Sequence, residues 1–286
     1  MQDLQDKIAF VTGGASGIGF AIARALIDRG ARVMLADIDE ERLAQARAEL
    51  GQASETVVCN VASNTSVEDA AQATIDAFGK VHIVVNNAGV GLGGKPGDAT
   101  IEDWRWIVDI NLMGVVHGVE TFTKLIREHG EGGHIVNTAS MAGHWANENM
   151  GPYCATKFAV VGYSECLRQA LAPENIGVSI LCPGWVKTDI AGSSARRPSG
   201  PAGTPNPLTN AEDVGGGQQV TASDLIAHGM PPHVLADWVI ECIRDNRLYI
   251  FSHAMMEPVI DMRHEAIKAD YAAAIANETL TKNQTS

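Results

Sequence analysis

The sequence predicts an α/β fold in which a parallel, doubly wound sheet of about seven strands forms a single domain. Short apolar runs rich in β-branched residues alternate with segments of helical periodicity. These runs are apolar at consecutive positions, as expected for strands that helices cover on both faces. The chain of 286 residues is long enough for one such domain. Together the three observations favour a Rossmann-like architecture.

The predicted elements follow one another as strand and helix. The runs with strand character are 7–13, 31–37, 55–61, 81–89, 132–140, 177–184 and 248–251. Segments 17–30, 39–50 and 66–79 have helical periodicity, and the first of them ends at Gly30, a residue type common after helix C-termini. Since strands alternate with helical segments of 12–14 residues, the pattern predicts repeated βαβ units.

Composition excludes several classes of function. The formal net charge of −13 and the absence of a basic cluster argue against a nucleic-acid partner. No apolar run reaches membrane-spanning length, and the N-terminus lacks the apolar core of a signal peptide, so the sequence predicts a cytoplasmic protein without a membrane partner. The five cysteines form no CxxC pair, and we expect neither disulfides nor a metal site.

One segment interrupts the alternation of strands and helices. Residues 192–217 contain six glycines and four prolines and follow the strand at 177–184. Long loops at the carboxyl edge of a parallel sheet are commonly functional, so we expect a lid-like insertion near 190–230. The alternative is an insertion without a role in the site. Residues 253–286 are predicted to form a C-terminal helical extension.

A glycine-rich turn, "VTGGASGIG", joins the first strand to the first helix. Glycines permit a tight turn and a close approach of backbone to a pyrophosphate, and the helix N-terminus favours an anion. The glycines at 13, 17 and 19 have the spacing G-x-x-x-G-x-G rather than the common G-x-G-x-x-G. Turn chemistry alone is the alternative interpretation.

Asp37, at the end of the second predicted strand, favours NAD as the cofactor. A carboxylate at this point can accept hydrogen bonds from the ribose hydroxyls of adenosine, and it would repel a 2′-phosphate. Positions 14, 15 and 38 carry no lysine or arginine. Arg42 is near enough in sequence to leave NADP open, and a solvated turn residue is the alternative role for Asp37.

These motifs, taken together, resemble the short-chain dehydrogenase/reductase family. Thr12-Gly13 with Gly17-Ile18-Gly19 is similar to its cofactor loop, "NNAG" at 86–89 to the motif after its fourth strand, and Pro183-Gly184 with Thr188 to the segment beside its nicotinamide. Its catalytic tetrad matches Asn111, Ser140, Tyr153 and Lys157 in order and spacing. The resemblance covers about residues 5–190.

The resemblance implies a set of cofactor-binding residues. They are Gly13, Ser16, Gly17, Ile18, Gly19, Asp37, Asn60, Val61, Asn87, Ala88, Gly89, Tyr153, Lys157, Pro183, Gly184, Val186 and Thr188. Asn60 departs from the family, which often has aspartate there, so adenine contact by an amide replaces contact by an acid. The chain beyond about residue 190 has no motif that can be transferred from the family.

The tetrad implies acid–base chemistry on an alcohol or ketone oxygen. Tyr153 and Lys157 are four residues apart and share one helix face. A nearby ammonium favours the phenolate, so Lys157 is expected to lower the pKa of Tyr153 toward the working pH. Ser140 is expected to hydrogen-bond the substrate oxygen. By resemblance, Lys157 also holds the nicotinamide ribose, and Asn111 bends its helix and holds a water of a proton relay; a buried structural asparagine is the alternative.

Several residues beside the tetrad are candidates for the substrate pocket. They are His144, Trp145, Asn147, Met150 and Trp185, although packing is as common a role for a tryptophan. Their size and apolar character favour a bulky aromatic or alicyclic substrate. The predicted function is the interconversion of a secondary alcohol and a ketone with NAD.

Two other functions remain open at this point. One is an NADP-dependent ketoreductase, and the other is a non-catalytic nicotinamide-binding protein, which the intact tetrad disfavours. The resemblance also implies a homodimer or homotetramer that pairs through the helices carrying Asn111 and Tyr153.

Overall fold

The structure, a computed structural model, describes residues 1–95, 97–193, 196–198, 211–213 and 219–282. Its contacts divide the chain into two compact units, Met1–Ser252 and His253–Ser286. The first unit contains the sheet and its flanking helices. The second is helical in its described part. Residues 194–195, 199–210 and 214–218 of the predicted lid near 190–230 lie outside the described residues.

Seven parallel strands form the main sheet of the first unit, which confirms the predicted fold class. Their spatial order is β3-β2-β1-β4-β5-β6-β9. The strands are β1 (Ile8–Thr12), β2 (Arg32–Asp37), β3 (Ser54–Val58), β4 (Ile83–Asn86), β5 (Gly133–Thr138), β6 (Ile176–Cys182) and β9 (Tyr249–Phe251). Because β1 and β4 are neighbours, the strand order reverses between them, and a crevice opens at their carboxyl ends.

Helices cover the sheet and follow the strands along the chain. In the first unit they are α1 (Gly17–Ile27), α2 (Glu40–Leu50), α3 (Asn64–Phe78), α4 (Ile101–Val108), α5 (Gly114–His129), α6 (Gly151–Leu171), α7 (Ile190–Ser193), α8 (Ala222–Ala227) and α9 (Pro232–Arg244). A π-helical turn, Asp109–Met113, joins α4 to α5. In the second unit they are α10 (Glu257–Ile275) and α11 (Glu278–Lys282).

The core lies on both faces of the sheet, and alternate residues of one strand contribute to different layers. Val11 of β1 belongs to the cluster that α1 and α9 complete, for example through Ile22 and Val239. Its neighbour Phe10 packs with Phe122 of α5, and the two ring centroids are 4.2 Å apart. Burial on both faces explains why the strand sequences are apolar without alternation.

Two local features differ from the sequence prediction. Helix α1 ends at Ile27 rather than Gly30, because a turn intervenes in which Gly30 adopts a φ of +86° and the Gly30 amide bonds to the Ile27 carbonyl. A two-stranded antiparallel pair, β7 (Ala211–Asp213) and β8 (Gln219–Thr221), was not predicted. These strands of three residues are too short for a periodic pattern.

Among the described residues, no helix is long and apolar enough to span a membrane.

Candidate active site

The glycine turn between β1 and α1 leaves no room for side chains at its glycine positions. A Cβ on Gly19 would lie 2.2 Å from the Gly13 carbonyl oxygen, and Gly13 and Gly17 adopt φ values of +61° and +56°. Ser16 is the N-cap of α1 but makes no side-chain capping bond. The backbone amides of this turn therefore lie at the positive end of the dipole of α1, which begins at Gly17-Ile18.

The "NNAG" segment is tied to the glycine turn through Thr12. The Thr12 hydroxyl accepts hydrogen bonds from the Asn87 amide at 2.9 Å and the Ala88 amide at 3.0 Å. The Asn87 side chain in turn donates to the Thr12 carbonyl oxygen at 3.0 Å. These bonds fix the ends of β1 and β4 against each other at the crevice.

Asp37 ends β2 beside the same turn. Its carboxylate accepts hydrogen bonds from the Ala15 amide at 3.4 Å and the Asp39 amide at 3.2 Å, which hold its orientation. Arg42 pairs with Asp39 at 3.4 Å and with Asp189 at 3.3 Å. The guanidinium that left NADP open is thus engaged with two carboxylates.

The residues after β3 lie at the same edge of the sheet. Asn60 is exposed, and its side-chain oxygen accepts a hydrogen bond from the Ala62 amide at 3.1 Å. Val61 is buried against Gly114, where an added Cβ would approach the Val61 side chain to 2.9 Å. Val61 therefore packs the start of α5 against this loop.

The segment after β6 crosses the crevice. The Thr188 side chain lies over Gly17, since an added Cβ there would be 3.2 Å from the Thr188 methyl group. The Ser193 hydroxyl accepts a hydrogen bond from the Gly91 amide at 2.8 Å. Gly184 donates to the Ser252 hydroxyl at 2.8 Å, and Val186 is buried. Pro183 accepts a hydrogen bond from the Met141 amide. Residues 183–193 thus connect the glycine turn with the loop after β4.

Asn111 lies in the π-helical turn between α4 and α5 and is fully buried. Its side chain accepts from the Val90 amide at 2.8 Å and donates to the Val90 carbonyl at 2.9 Å. Gly89 lies beside it: an added Cβ would be 3.3 Å from the Asn111 side-chain oxygen and 3.7 Å from Lys157 Nζ. The wide turn therefore brings Asn111 next to Lys157.

Ser140 follows β5, and Tyr153 and Lys157 lie on one face of α6. The Ser140 hydroxyl donates to the Pro183 carbonyl at 3.4 Å and lies close enough to Tyr153 to lower the pKa of that phenol. Lys157 Nζ donates to the Thr138 carbonyl oxygen at 2.9 Å and lies 5.5 Å from the centroid of the Tyr153 ring. The four residues of the predicted tetrad are thus brought together at the carboxyl edge of the sheet.

Burial controls the protonation of this cluster. Tyr153 is only 8% exposed, and burial raises its pKa to about 12, although the hydrogen bond with Ser140 opposes the rise. Lys157 is 3% exposed, and burial lowers its pKa to about 8. The predicted lowering of the Tyr153 pKa by Lys157 is not found. Its ammonium is hydrogen-bonded to Thr138 and faces the tyrosine ring, so desolvation dominates.

An apolar wall surrounds the Tyr153 side chain. Buried Leu92 and Ile107 form one cluster with Tyr153, and partly buried Trp106 and Met150 pack against it. Of the predicted pocket residues, Met150 is the one that joins this wall. Leu92 and Ile107 carry no motif, and their apolar character alone could not distinguish them from core residues.

The other predicted pocket residues have different surroundings. His144 lies 3.3 Å from the Cys182 sulfur and packs edge-on against the rings of Tyr249 and Phe251. Trp145 is 38% exposed, and Asn147 accepts a hydrogen bond from the Asn149 amide. The Trp185 carbonyl accepts from the Met230 amide at 2.9 Å. His144 thus packs against the end of β9 rather than in the apolar wall.

A family model described as short chain dehydrogenase matches residues 7–198. The chain belongs to this family. It is 34% identical over 277 residues to a CLA biosynthesis dehydrogenase/reductase from Lactiplantibacillus plantarum, covering 95% of this chain and 96% of the relative. It is 33% identical to a C alpha-dehydrogenase from Sphingobium sp., covering 93% of this chain and 87% of the relative.

A solved structure extends the comparison to the nicotinamide cofactor. A short chain dehydrogenase/reductase from Burkholderia phymatum, in complex with NAD, superposes with a TM-score of 0.84 at 34% identity and covers 94% of this chain and 97% of its own. This short-chain dehydrogenase therefore has the Rossmann-like fold of its family and is an oxidoreductase. The tight glycine turn and the carboxylate of Asp37 fit a dinucleotide.

The sequence did not reveal three residues whose hydrogen bonds hold the site residues in place. Thr12 and Thr138 act through a hydroxyl and a backbone carbonyl, and Thr156 accepts a hydrogen bond from the Asn111 side chain at 3.4 Å. Thr156 lies between Tyr153 and Lys157 in the sequence, and this position could have indicated a role in the site. The contacts of Thr12 and Thr138 depend on the sheet order and leave no trace in spacing.

We predict that Gly19→Ala abolishes dinucleotide binding. The new Cβ would meet the Gly13 carbonyl at 2.2 Å and the Asn87 side chain at 2.6 Å, so the turn must open. Titration with NADH followed by fluorescence should show affinity reduced about a hundredfold or more. Gly162→Ala is the matched control, because nothing lies within 4 Å of that position on α6. Unchanged binding by Gly19→Ala would refute the assignment of the turn.

Proposed function

We propose that this short-chain dehydrogenase interconverts a secondary alcohol and a ketone with NAD, on a bulky aromatic or alicyclic substrate. One observation carries the proposal: the buried Tyr153 side chain packs in an apolar cluster, and Lys157 Nζ lies 5.5 Å from the centroid of its ring. A phenol in this setting can exchange a proton with a substrate oxygen while the wall excludes water.

In this proposal Tyr153 is the acid–base catalyst. Because its pKa is raised to about 12, the side chain is protonated at neutral pH and is ready to donate its proton to a ketone oxygen. Ser140 donates a hydrogen bond to the same oxygen and stabilises the negative charge that develops there. In the opposite direction Tyr153 must first lose its proton before it accepts that of the alcohol.

The two other residues of the tetrad, Lys157 and Asn111, support this proton transfer. Lys157 is held by the Thr138 carbonyl beside the Tyr153 ring, where its ammonium can hydrogen-bond the nicotinamide ribose. The Asn111 side-chain amide is fixed by two hydrogen bonds with the Val90 backbone, one through its oxygen and one through its nitrogen. When bound, the nicotinamide supplies or accepts the hydride.

The apolar wall supports a bulky substrate. Partly buried Met150 and Trp106, which pack on buried Leu92 and Ile107, offer apolar and aromatic surface rather than the hydrogen-bond donors that a sugar would need. The name of the relative from Sphingobium sp., a C alpha-dehydrogenase, is consistent with oxidation at a carbinol carbon. We infer that the carbon bearing the hydroxyl is attached to at least one large apolar group.

NAD rather than NADP is the proposed cofactor. The Asp37 carboxylate is fixed by two backbone amides at the end of β2, in the place where it would accept hydrogen bonds from ribose hydroxyls and repel a phosphate. Arg42 is paired with Asp39 and Asp189, so binding a 2′-phosphate would require it to exchange carboxylate partners.

Tyr153→Phe tests the proposed catalyst. Removing the hydroxyl should reduce kcat by about a thousandfold or more, because no other group donates the proton, while NADH affinity stays within about twofold. Tyr163→Phe is the matched control: it lies on the same helix and donates to Glu120 at 3.1 Å. Retained turnover of an aryl ketone by Tyr153→Phe would overturn the mechanism.

Initial rates with NADH and NADPH test the cofactor assignment. We expect kcat/KM to favour NADH, and Asp37→Ala should lower kcat/KM with NADH about tenfold to a hundredfold, since two hydrogen bonds to the ribose are lost. The same variant should raise the relative rate with NADPH. Asp69→Ala removes an equal charge from the exposed face of α3 and should change neither ratio. A wild-type preference for NADPH would refute the role of Asp37.

The pH dependence follows from the raised pKa of Tyr153. Alcohol oxidation needs the deprotonated side chain, so its kcat/KM should rise steadily between about pH 6 and pH 10, whereas ketone reduction should stay nearly constant around neutrality. Ser140→Ala removes a hydrogen bond that lowers this pKa and should move the rising limb to higher pH. Ser140→Thr, which keeps a hydroxyl, should restore its position. An unchanged pH profile of alcohol oxidation in Ser140→Ala would contradict the effect of Ser140 on the pKa of Tyr153.

A further inference from the structure

Helix α10 in the second unit, Glu257–Ile275, has no buried residue along its 19 positions. It nevertheless carries large apolar side chains, and Ile267 and Tyr271 are 42% and 68% exposed. Helices in proteins gain most of their stability when an apolar face is packed. The sequence of α10 therefore has the character of a helix that packs against a partner.

The apolar side chains of α10 recur with the spacing of a coiled coil. Steps of four, three, four and three residues connect Ile260, His264, Ile267, Tyr271 and Ala274, which we call the α10 stripe. All of its members except His264 are apolar. A repeat of 3.5 residues keeps these positions on one side of the helix and suits pairing with a second helix. The charged Glu265 lies away from this stripe.

The charges that flank the α10 stripe select one orientation of the pair. Asp261 and Lys268 lie along one side of the stripe, and Arg263 and Asp270 lie along the other. When two copies of α10 run antiparallel, each flank meets the same flank of the other helix. Arg263 then faces Asp270 of the second copy, and Asp261 faces Lys268 of the second copy, so all four contacts join opposite charges.

The parallel orientation lacks this complementarity. In a parallel pair the two different flanks meet, and Arg263 would approach Lys268 of the second copy, which places like charges together. From the stripe and its charge pattern we propose that α10 is a self-association surface, whose occupant is α10 of a second copy of this chain in antiparallel orientation. This inference is independent of the catalytic proposal.

Two details define how strong such pairing is. Lys268 also bonds to Glu265 within its own helix at 3.2 Å, but an exposed pair of this kind contributes little and is easily exchanged. The α10 stripe has five positions, which is fewer than a self-sufficient interface uses. We therefore expect the antiparallel pair on its own to associate weakly.

A charge-swap experiment on the full chain tests the pairing. Arg263→Asp and Asp270→Arg each place like charges at two symmetric contacts and should raise the dissociation constant of the assembly about tenfold. The double variant R263D/D270R exchanges the charges and should return it to within about threefold of wild type. Lys282→Asp on α11 changes the net charge as much as Arg263→Asp does and should have no effect. Sedimentation velocity over a dilution series, with mass photometry at nanomolar concentration, measures each constant.

The outcomes separate the proposal from general charge effects and from loss of the helix. A dissociation constant restored by the double variant supports antiparallel pairing. If α10 were unpaired or paired in parallel, the second charge reversal would not compensate for the first. A wild-type protein that is monomeric throughout overturns the proposal. Single reversals that associate like wild type overturn it as well, and so does a double variant that is weaker than either single one. Far-ultraviolet circular dichroism confirms that all four variants keep their helix content.

Discussion

The ammonium of Lys157 is a charge in the protein interior, and the candidate active site is arranged around it. Removing an ammonium from water is costly unless it is hydrogen-bonded, and burial accordingly lowers its pKa to about 8. Its hydrogen bond to the Thr138 carbonyl ties α6 to the end of β5. Because that bond fixes the side chain, the Tyr153 phenol four residues earlier is held on the same face, next to Ser140.

The parallel sheet is what makes this arrangement possible. All the strands that contribute end at one edge, so the glycine turn after β1, Asp37 after β2 and Ser140 after β5 converge although they are far apart in sequence. Thr12 connects the first of these segments to "NNAG", and the π-helical turn carries Asn111 to the Gly89 end of that motif. The dinucleotide half and the proton-transfer half of the site thus share a backbone segment of four residues.

The sequence predicted the strands, the fold class and the proximity of Tyr153 to Lys157, because these depend on local patterns: consecutive apolar residues, β-branched runs and a helical spacing of four. It could not predict quantities that depend on tertiary burial. The pKa of Tyr153 moves upward rather than downward, since desolvation outweighs the nearby ammonium. His144 packs against Tyr249 and Phe251 because β9, the last strand, pairs with β6. Spacing around residue 144 contains no information about a strand a hundred residues later.

The most direct test of the central claim is to follow the hydride itself. Wild-type protein is incubated with NADH deuterated at both C4 positions and with a panel of aryl and alicyclic ketones, and the alcohols are analysed by mass spectrometry and NMR. We predict one deuterium on the carbinol carbon of at least one bulky product. Binding of NADH without transfer of deuterium to any ketone of the panel would contradict it.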